Sequence, residues 1–395
     1  MKTKLLTGLS VAAFSLMMLS SCKKEDEQLN NISAYRGDAS QAQTVDYADI
    51  NSSMVFEDRV NGVDYLITKD IQINAAVTVK PGVTFMFKDG AGFTVTENGS
   101  LKAMGTDGNE VYFTSESGKR GGWKGITFLS NSGNVLSYCK IEHGGGANNF
   151  GSANVMIGVE GNSAVAEVSN STIIASKTDG IFMAERSNIL HFAGNNVTTN
   201  TAHPLTIHVS QAGQLDNGNV YTNNGKPDVR LYGGNTSITT PVDINNTGVS
   251  YLVTGLVKAS NAINIKPGVR LNMDNNAQII VSGAQASFNA VGSSAQPIII
   301  SSPYAATGVW NNIQFDAASS GNNHIEYCNI SGGGLGNAAG MISVVNGSSV
   351  TVRNSTIANS AANGIYIQAA TSHYNNDIAT ANTFTNNADG NVAIN

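Results

Sequence analysis

The tetrapeptide Lys80-Pro81-Gly82-Val83 returns as Lys266-Pro267-Gly268-Val269, 186 residues later (266 − 80 = 186). The repetition is not local. Tyr65-Leu66-Ile67-Thr68 matches Tyr251-Leu252-Val253-Thr254, and Trp123 to Phe128 matches Trp310 to Phe315. Tyr138-Cys139-Lys140-Ile141 matches Tyr327-Cys328-Asn329-Ile330, and Asp179-Gly180-Ile181-Phe182 matches Asn363-Gly364-Ile365-Tyr366. A chain that repeats itself at a nearly constant offset is either two like domains or one solenoid. A shorter period inside each copy separates the two cases.

That shorter period is present. Apolar residues alternate in brief runs, Val77/Val79, Val83/Phe85/Phe87, Phe93/Val95, Leu101/Ala103, Val111/Phe113 and Ile126/Phe128, with Gly, Asn, Asp and Ser between them. Period-two alternation describes strands with one buried face. Runs this short fall below the usual strand of about five or six residues and suit a coil wound around a narrow axis, each turn burying its inward residues against the turns on either side. At roughly 20–25 residues per coil, Tyr65 to Asn395 holds on the order of 14 coils, a rod of roughly 65–70 Å at about 4.8 Å per coil.

The run from Val79-Lys80-Pro81-Gly82-Val83 through Gly99-Ser100-Leu101-Lys102-Ala103 and Val111-Tyr112-Phe113-Thr114-Ser115 to Gly122-Trp123-Lys124-Gly125-Ile126 resembles bacterial right-handed parallel β-helix proteins of the pectate-lyase-like superfamily. The resemblance covers about residues 65–395 and implies fold far more than activity, because this superfold carries unrelated chemistries. The expected class is all-β: a right-handed parallel β-helix (β-solenoid) built from two tandem homologous copies. Residues 61–250 form copy 1 and residues 251–395 form copy 2, continuous with it.

Residues 1–21 read as a leader: Lys2 and Lys4, then the apolar stretch Leu5 to Leu19, too short to span a bilayer comfortably. It closes on Leu19-Ser20-Ser21-Cys22, which resembles the lipobox of bacterial lipoproteins and implies cleavage before Cys22 and lipidation of its thiol. More than one acyl chain, at about 0.8 kcal/mol per buried methylene, anchors a protein stably. Lys23-Lys24-Glu25-Asp26-Glu27 resembles the charged stretch that follows the lipidated Cys in surface-exposed lipoproteins of some Gram-negative bacteria; as chemistry alone it is a solvated tether. The expected location is the outer membrane, at the cell surface. Residues 22–60 read as lipidated Cys and polar linker running into a cap, and Arg36-Gly37-Asp38 within it as a chance tripeptide.

The chain carries a net charge of −6, and losing Lys2 and Lys4 with the leader takes it to −8. That argues against nucleic acid and against charge-driven binding to anionic lipid. Cys139 and Cys328 stand at matching positions about eight coils apart, roughly 40 Å. A disulfide needs Cα atoms within about 7 Å, so both are expected as free thiols in the core. The asparagine-rich runs Gly194 to Asn200, Asn217 to Asn224 and Asn382 to Asn387 share one pattern. They read as turns whose amides ladder from coil to coil.

Chemistry is harder to find. The resemblance implies acidic-polysaccharide enzymes with clustered carboxylates, calcium and a base, or grouped Asp residues with Gly-His-Gly. Neither an Asp-Asp pair nor Gly-His-Gly occurs in this chain. The weak catalytic candidates are Asp179, in an ordinary Asp-Gly turn, and Glu142 beside His143, a pair that copy 2 replaces with Ser331-Gly332. His191, His203 and His208 also fall in copy 1 only, and His203 and His208 do not match in strand parity, so no metal site and no cofactor is expected. Trp123 and Trp310 could stack on sugar rings, although their duplication with the following strand favours packing at a bend. The leading reading is a lipid-anchored, surface-exposed envelope β-helix for carbohydrate binding, adhesion or display. The alternatives are a polysaccharide lyase or glycoside hydrolase, and a purely structural envelope protein. The last coil has no successor in the sequence, so Ile365, Ile367 and Val392 are expected to be uncovered or to meet a second copy end to end.

Overall fold

The structure, a computed structural model, describes residues 37–149, 151–234, 236–304 and 306–395. Cys22, the leader and the charged stretch after it lie outside the described residues. The described chain is a parallel β-helix. A fourteen-stranded parallel sheet runs from Asp49–Ile50 to Thr383–Thr385 without interruption. In copy 1 it is flanked by a seven-stranded and a six-stranded sheet, and in copy 2 by two six-stranded sheets. Fourteen strands make 13 turns, a rod of roughly 62 Å at about 4.8 Å per strand. Each turn uses about 26 residues rather than 20–25, because loops such as residues 116–125 and 143–152 bulge out between strands.

The helix begins one coil earlier than Tyr65. Gln43–Val45, Asp49–Ile50 and Met54–Phe56 already pair in parallel with Tyr65–Ile67, Asp70–Ile73 and Ala76–Val79. Their inward residues, Val45, Ile50 and Phe56, are buried, but Val45 and Ile50 are single apolar residues in polar surroundings, so the sequence shows only the short run Met54-Val55-Phe56.

The inward residues of all turns form one continuous core. In copy 1 that core is aromatic: Phe85 packs on Phe56, Tyr65, Phe93 and Phe113 at centroid distances of 4.9 to 5.5 Å. Such pairs add about 0.5–1.5 kcal/mol beyond the area they bury. Copy 2 puts Leu271 and Met273 where copy 1 has Phe85 and Phe87, and its core is largely aliphatic.

Asparagine ladders bracket the strands. Asn195 Nδ2 donates to Asn219 Oδ1 at 3.0 Å, and Asn200 Nδ2 to Asn224 Oδ1 at 3.0 Å, while Asn195 and Asn200 accept the main-chain N–H groups of Ser171 and Ser176. Copy 2 repeats the device with Asn382 and Asn387 beneath Ser355 and Ser360. At the final coil, Gly390–Ile394 pairs with Asn363–Ile367 and covers it. Ile365 and Ile367 are therefore fully buried, against the expectation that they stand open, while Val392 is partly covered and Ile394 is 46% exposed. Among the described residues, no helix is long and apolar enough to cross a membrane.

Candidate functional site

Glu142 ends the strand Cys139–Glu142 of the seven-stranded sheet, on the outer side. Its carboxylate is fully buried. Thr114 Oγ1 donates to Oε1 at 2.9 Å, His143 Nδ1 lies 3.6 Å from Oε1, and Lys140 Nζ lies 3.4 Å from Oε2. His143 is itself 6% exposed and turns the chain at φ 65°. The group is a closed network that holds the corner above Trp123, whose Nε1 donates to the Glu142 carbonyl at 2.8 Å. Trp123 and Trp310 are both fully buried, so neither offers a ring face to a sugar. Trp123 stacks on Phe87 at 4.1 Å, and Trp310 Nε1 donates to the Ser331 carbonyl at 2.9 Å. Both pack at a bend.

Asp179 stands elsewhere, on the fourteen-stranded sheet, and it is not alone. Three neighbouring strands, Asp179–Met183, Leu205–His208 and Val229–Tyr232, carry copy 1 into copy 2. Their inward residues Ile181, Leu205, Ile207, Val229 and Leu231 belong to the core. Alternation therefore turns Phe182, Thr206, His208, Arg230 and Tyr232 outward. At the entry to these strands, Asp179 Oδ1 accepts the His203 N–H at 2.9 Å, and His203 Nδ1 meets the Asp228 carbonyl at 2.9 Å. The Asp228 carboxylate accepts from Asn272 Nδ2 at 2.8 Å and from the Ser250 hydroxyl. His203 lies just before the strand Leu205–His208 and His208 ends it, in keeping with their opposite parity.

At the exit end, Glu185 Oε1 lies 3.8 Å from His208 Nε2. Ser210 N–H donates to His208 Nδ1 at 3.3 Å, which leaves the proton of the neutral ring on Nε2. Burial holds the His208 pKa below the ordinary value, with Glu185 acting weakly the other way. The Tyr232 ring meets His208 edge-on at 5.4 Å and lies parallel to Phe182, 4° between planes and 6.3 Å between centroids. Its hydroxyl donates to the Met183 carbonyl at 3.2 Å, and burial pushes its pKa up to about 12. Gly234 brings the next loop against the pair: a Cβ there would stand 2.7 Å from Glu185 Oε2 and 2.9 Å from His208 Nε2.

Two atoms on this face are unsatisfied. Thr206 Oγ1 and His208 Nε2 are buried and have no hydrogen-bond partner among the described residues. Buried polar groups normally find partners, and a lone one costs about 1–3 kcal/mol. Thr206 stands in register between Phe182 and Arg230, and His208 beside Tyr232. Nowhere among the described residues do three His, Cys, Asp or Glu side chains converge as a metal would need.

No protein-family model matches the chain, and no curated protein matches it. Among solved structures, it is similar to one titled "Crystal structure of Agl-KA catalytic domain", at 14% identity and a TM-score of 0.30. The match covers 85% of this chain and 63% of that one, so the chain spans less than two thirds of that domain. No residue role is carried over from a likeness at this level.

Sequence reasoning singled out Asp179 and noticed His203 and His208, but missed Glu185, Thr206, Asp228, Arg230 and Tyr232. Of these, Asp228, Arg230 and Tyr232 belong to the segment that joins the copies, where the repeat offers no second copy to compare.

Proposed function

We propose that this chain is a lipid-anchored, surface-exposed cell-envelope β-helix that binds carbohydrate through the outer face where its two copies join. The observation that carries the reading is the pair of unmet polar atoms, Thr206 Oγ1 and His208 Nε2, beside the parallel rings of Phe182 and Tyr232 and next to Arg230. A saccharide offers what such a face lacks. Its hydroxyls both donate and accept, and its C–H faces pack on aromatic rings. Anchorage rests on Leu19-Ser20-Ser21-Cys22 and the charged residues behind it.

The test is a glycan array probed with residues 37–395, followed by titration of the best ligand against H208A and Y232A. Loss of binding in both variants, with unchanged thermal midpoints, supports the face as the site. Full binding by both removes it.

A further inference from the structure

A second feature lies about four coils away on another sheet. The strands Tyr65–Ile67, Thr84–Phe87 and Val111–Ser115 belong to the seven-stranded sheet, and the chain reaches them over loops around residues 58–62, 80–83 and 105–110. Between these loops runs a groove of about 620 Å³, lined by Asp58, Asn61, Thr84, Asn109, Glu110 and Tyr112, among others. Ligand sites are commonly about 300–1,000 Å³.

The groove has a constructed shape. Asp64 is buried and accepts three main-chain N–H groups, those of Arg59, Val60 and Thr84, at 2.7 to 3.0 Å, which pins the 58–62 loop over the sheet edge. Gly82, at φ +85°, passes directly under the opposite wall: a Cβ there would stand 2.7 Å from both Asp58 Oδ2 and Asn109 Oδ1. Two oxygen acceptors from different loops therefore overhang one point. Arg59 also lines the groove, with its guanidinium engaged: it donates to Gln43 and lies 5.9 Å over the Tyr65 ring.

On the floor, Thr84 faces outward because Phe85 and Phe87 take the inward positions. It is 1% exposed, and its hydroxyl has no hydrogen-bond partner among the described residues. A site for a single cation would gather its oxygens about 2.3–2.6 Å from one point, whereas these groups are spread across a floor and two walls. The carboxylates of Asp58 and Glu110 would repel an acidic glycan and accept hydroxyl hydrogens from a neutral one.

We propose that this groove is a second binding site, for a neutral hexose unit of a glycan chain, separate from the face at the junction. It rests on the carbohydrate reading above but uses none of the same residues. Because the two sites lie on different sheets, the rod would hold two glycan strands rather than one.

The experiment is calorimetric titration of residues 37–395 with cellohexaose, mannohexaose and chitohexaose, and with hexagalacturonate as the acidic counterpart. The expected result is saturable binding of a neutral hexaose, weakened about three- to tenfold by T84V, the loss of one hydrogen bond's worth of affinity, and more strongly by D58A/E110A. H208A and Y232A should leave that binding unchanged, even if they abolish another. Thermal midpoints within a degree or two of the parent show that the variants fold. Neutral binding indifferent to both T84V and D58A/E110A overturns the proposal, as does tighter binding of hexagalacturonate at this groove or no saturable binding by any neutral hexaose. A null result for H208A and Y232A overturns the junction reading alone.

Discussion

Tyr65 and Tyr251 are equivalent in sequence but occupy different sheets: Tyr65 lies in the seven-stranded sheet and Tyr251 in the fourteen-stranded one. The same shift applies to Ile126–Phe128, in the long sheet, and its counterpart Ile313–Asp316, in a six-stranded sheet. From Asp70–Ile73 to Tyr251–Thr254 the long sheet advances seven strands. The duplicated unit is thus seven turns plus one face. Copy 2 continues the rod rotated by a third of a turn, and corresponding outer faces never line up. The junction is where the two kinds of strand meet. The joining strand Val229–Tyr232, which carries Arg230 and Tyr232, has no matched strand among the described residues of copy 2.

The same rotation separates the cysteines. Cys139 and Cys328 are free and buried, seven turns and one face apart, or roughly 35 Å. Burial raises both thiols, that of Cys328 to about 12. In residues 37–395, iodoacetamide at pH 8 should label neither cysteine in the native protein and both in denaturant. Rapid native labelling of either would show that its coil opens.

Asn200 closes four contacts at once: it accepts the Ser176 N–H at 3.0 Å, donates to the Ile173 carbonyl at 3.2 Å and to Asn224 Oδ1, and gives its own N–H to the same oxygen at 2.9 Å. N200A leaves the buried Ser176 N–H without its acceptor and removes the side-chain bonds to the Ile173 carbonyl and Asn224, and should cost about 1–3 kcal/mol. Asp in place of Asn keeps the acceptor and loses the donor, and should cost less than Ala if the acceptor role dominates. Urea titration of the two variants against the parent measures both.

The solenoid was legible because inward residues alternate at every turn, from Val77/Val79 to Ile365/Ile367, and the asparagine ladders because each needs the same residue one coil on. The start of the helix was not, since Val45 and Ile50 are single apolar residues in polar company and Met54-Val55-Phe56 is too short a run to set a period. The junction face was not legible either. Glu185, His208 and Tyr232 sit 23 or more residues apart along the chain, with no motif spacing between them. Only the coil length, which the sequence does not print, brings them side by side. Glu142 and His143 looked like a site because they are adjacent, yet adjacency on a strand end put the carboxylate into a closed network with Thr114 and Lys140.

Both tryptophans of the chain are fully buried, which gives an optical check. Native emission should be blue-shifted and resist acrylamide, with red-shifting only on unfolding. W123F should destabilise the protein by about 1–3 kcal/mol, losing the Nε1 bond to the Glu142 carbonyl and leaving that carbonyl unmet. Native emission at the wavelength of a solvated indole would mean that the corner over Phe87 is open.

His208 sets the response to acid. Its folded pKa is depressed by burial, while in the unfolded chain it titrates near the ordinary value of about 6.5. Between the two, the unfolded state binds the extra proton, so stability is fully present above about pH 6.5 and falls as pH drops toward the folded pKa. Glu185 opposes the depression and narrows the window without reversing its sign. H208Q removes this titration and should flatten the stability profile below about pH 6.5 relative to the parent. It should also weaken glycan binding at the junction face, where Nε2 is one of the two unmet atoms. A parent midpoint that rises on acidification through this range, or an H208Q profile as steep as the parent's, would show that the imidazole is charged in the folded state and that Glu185, not burial, controls it.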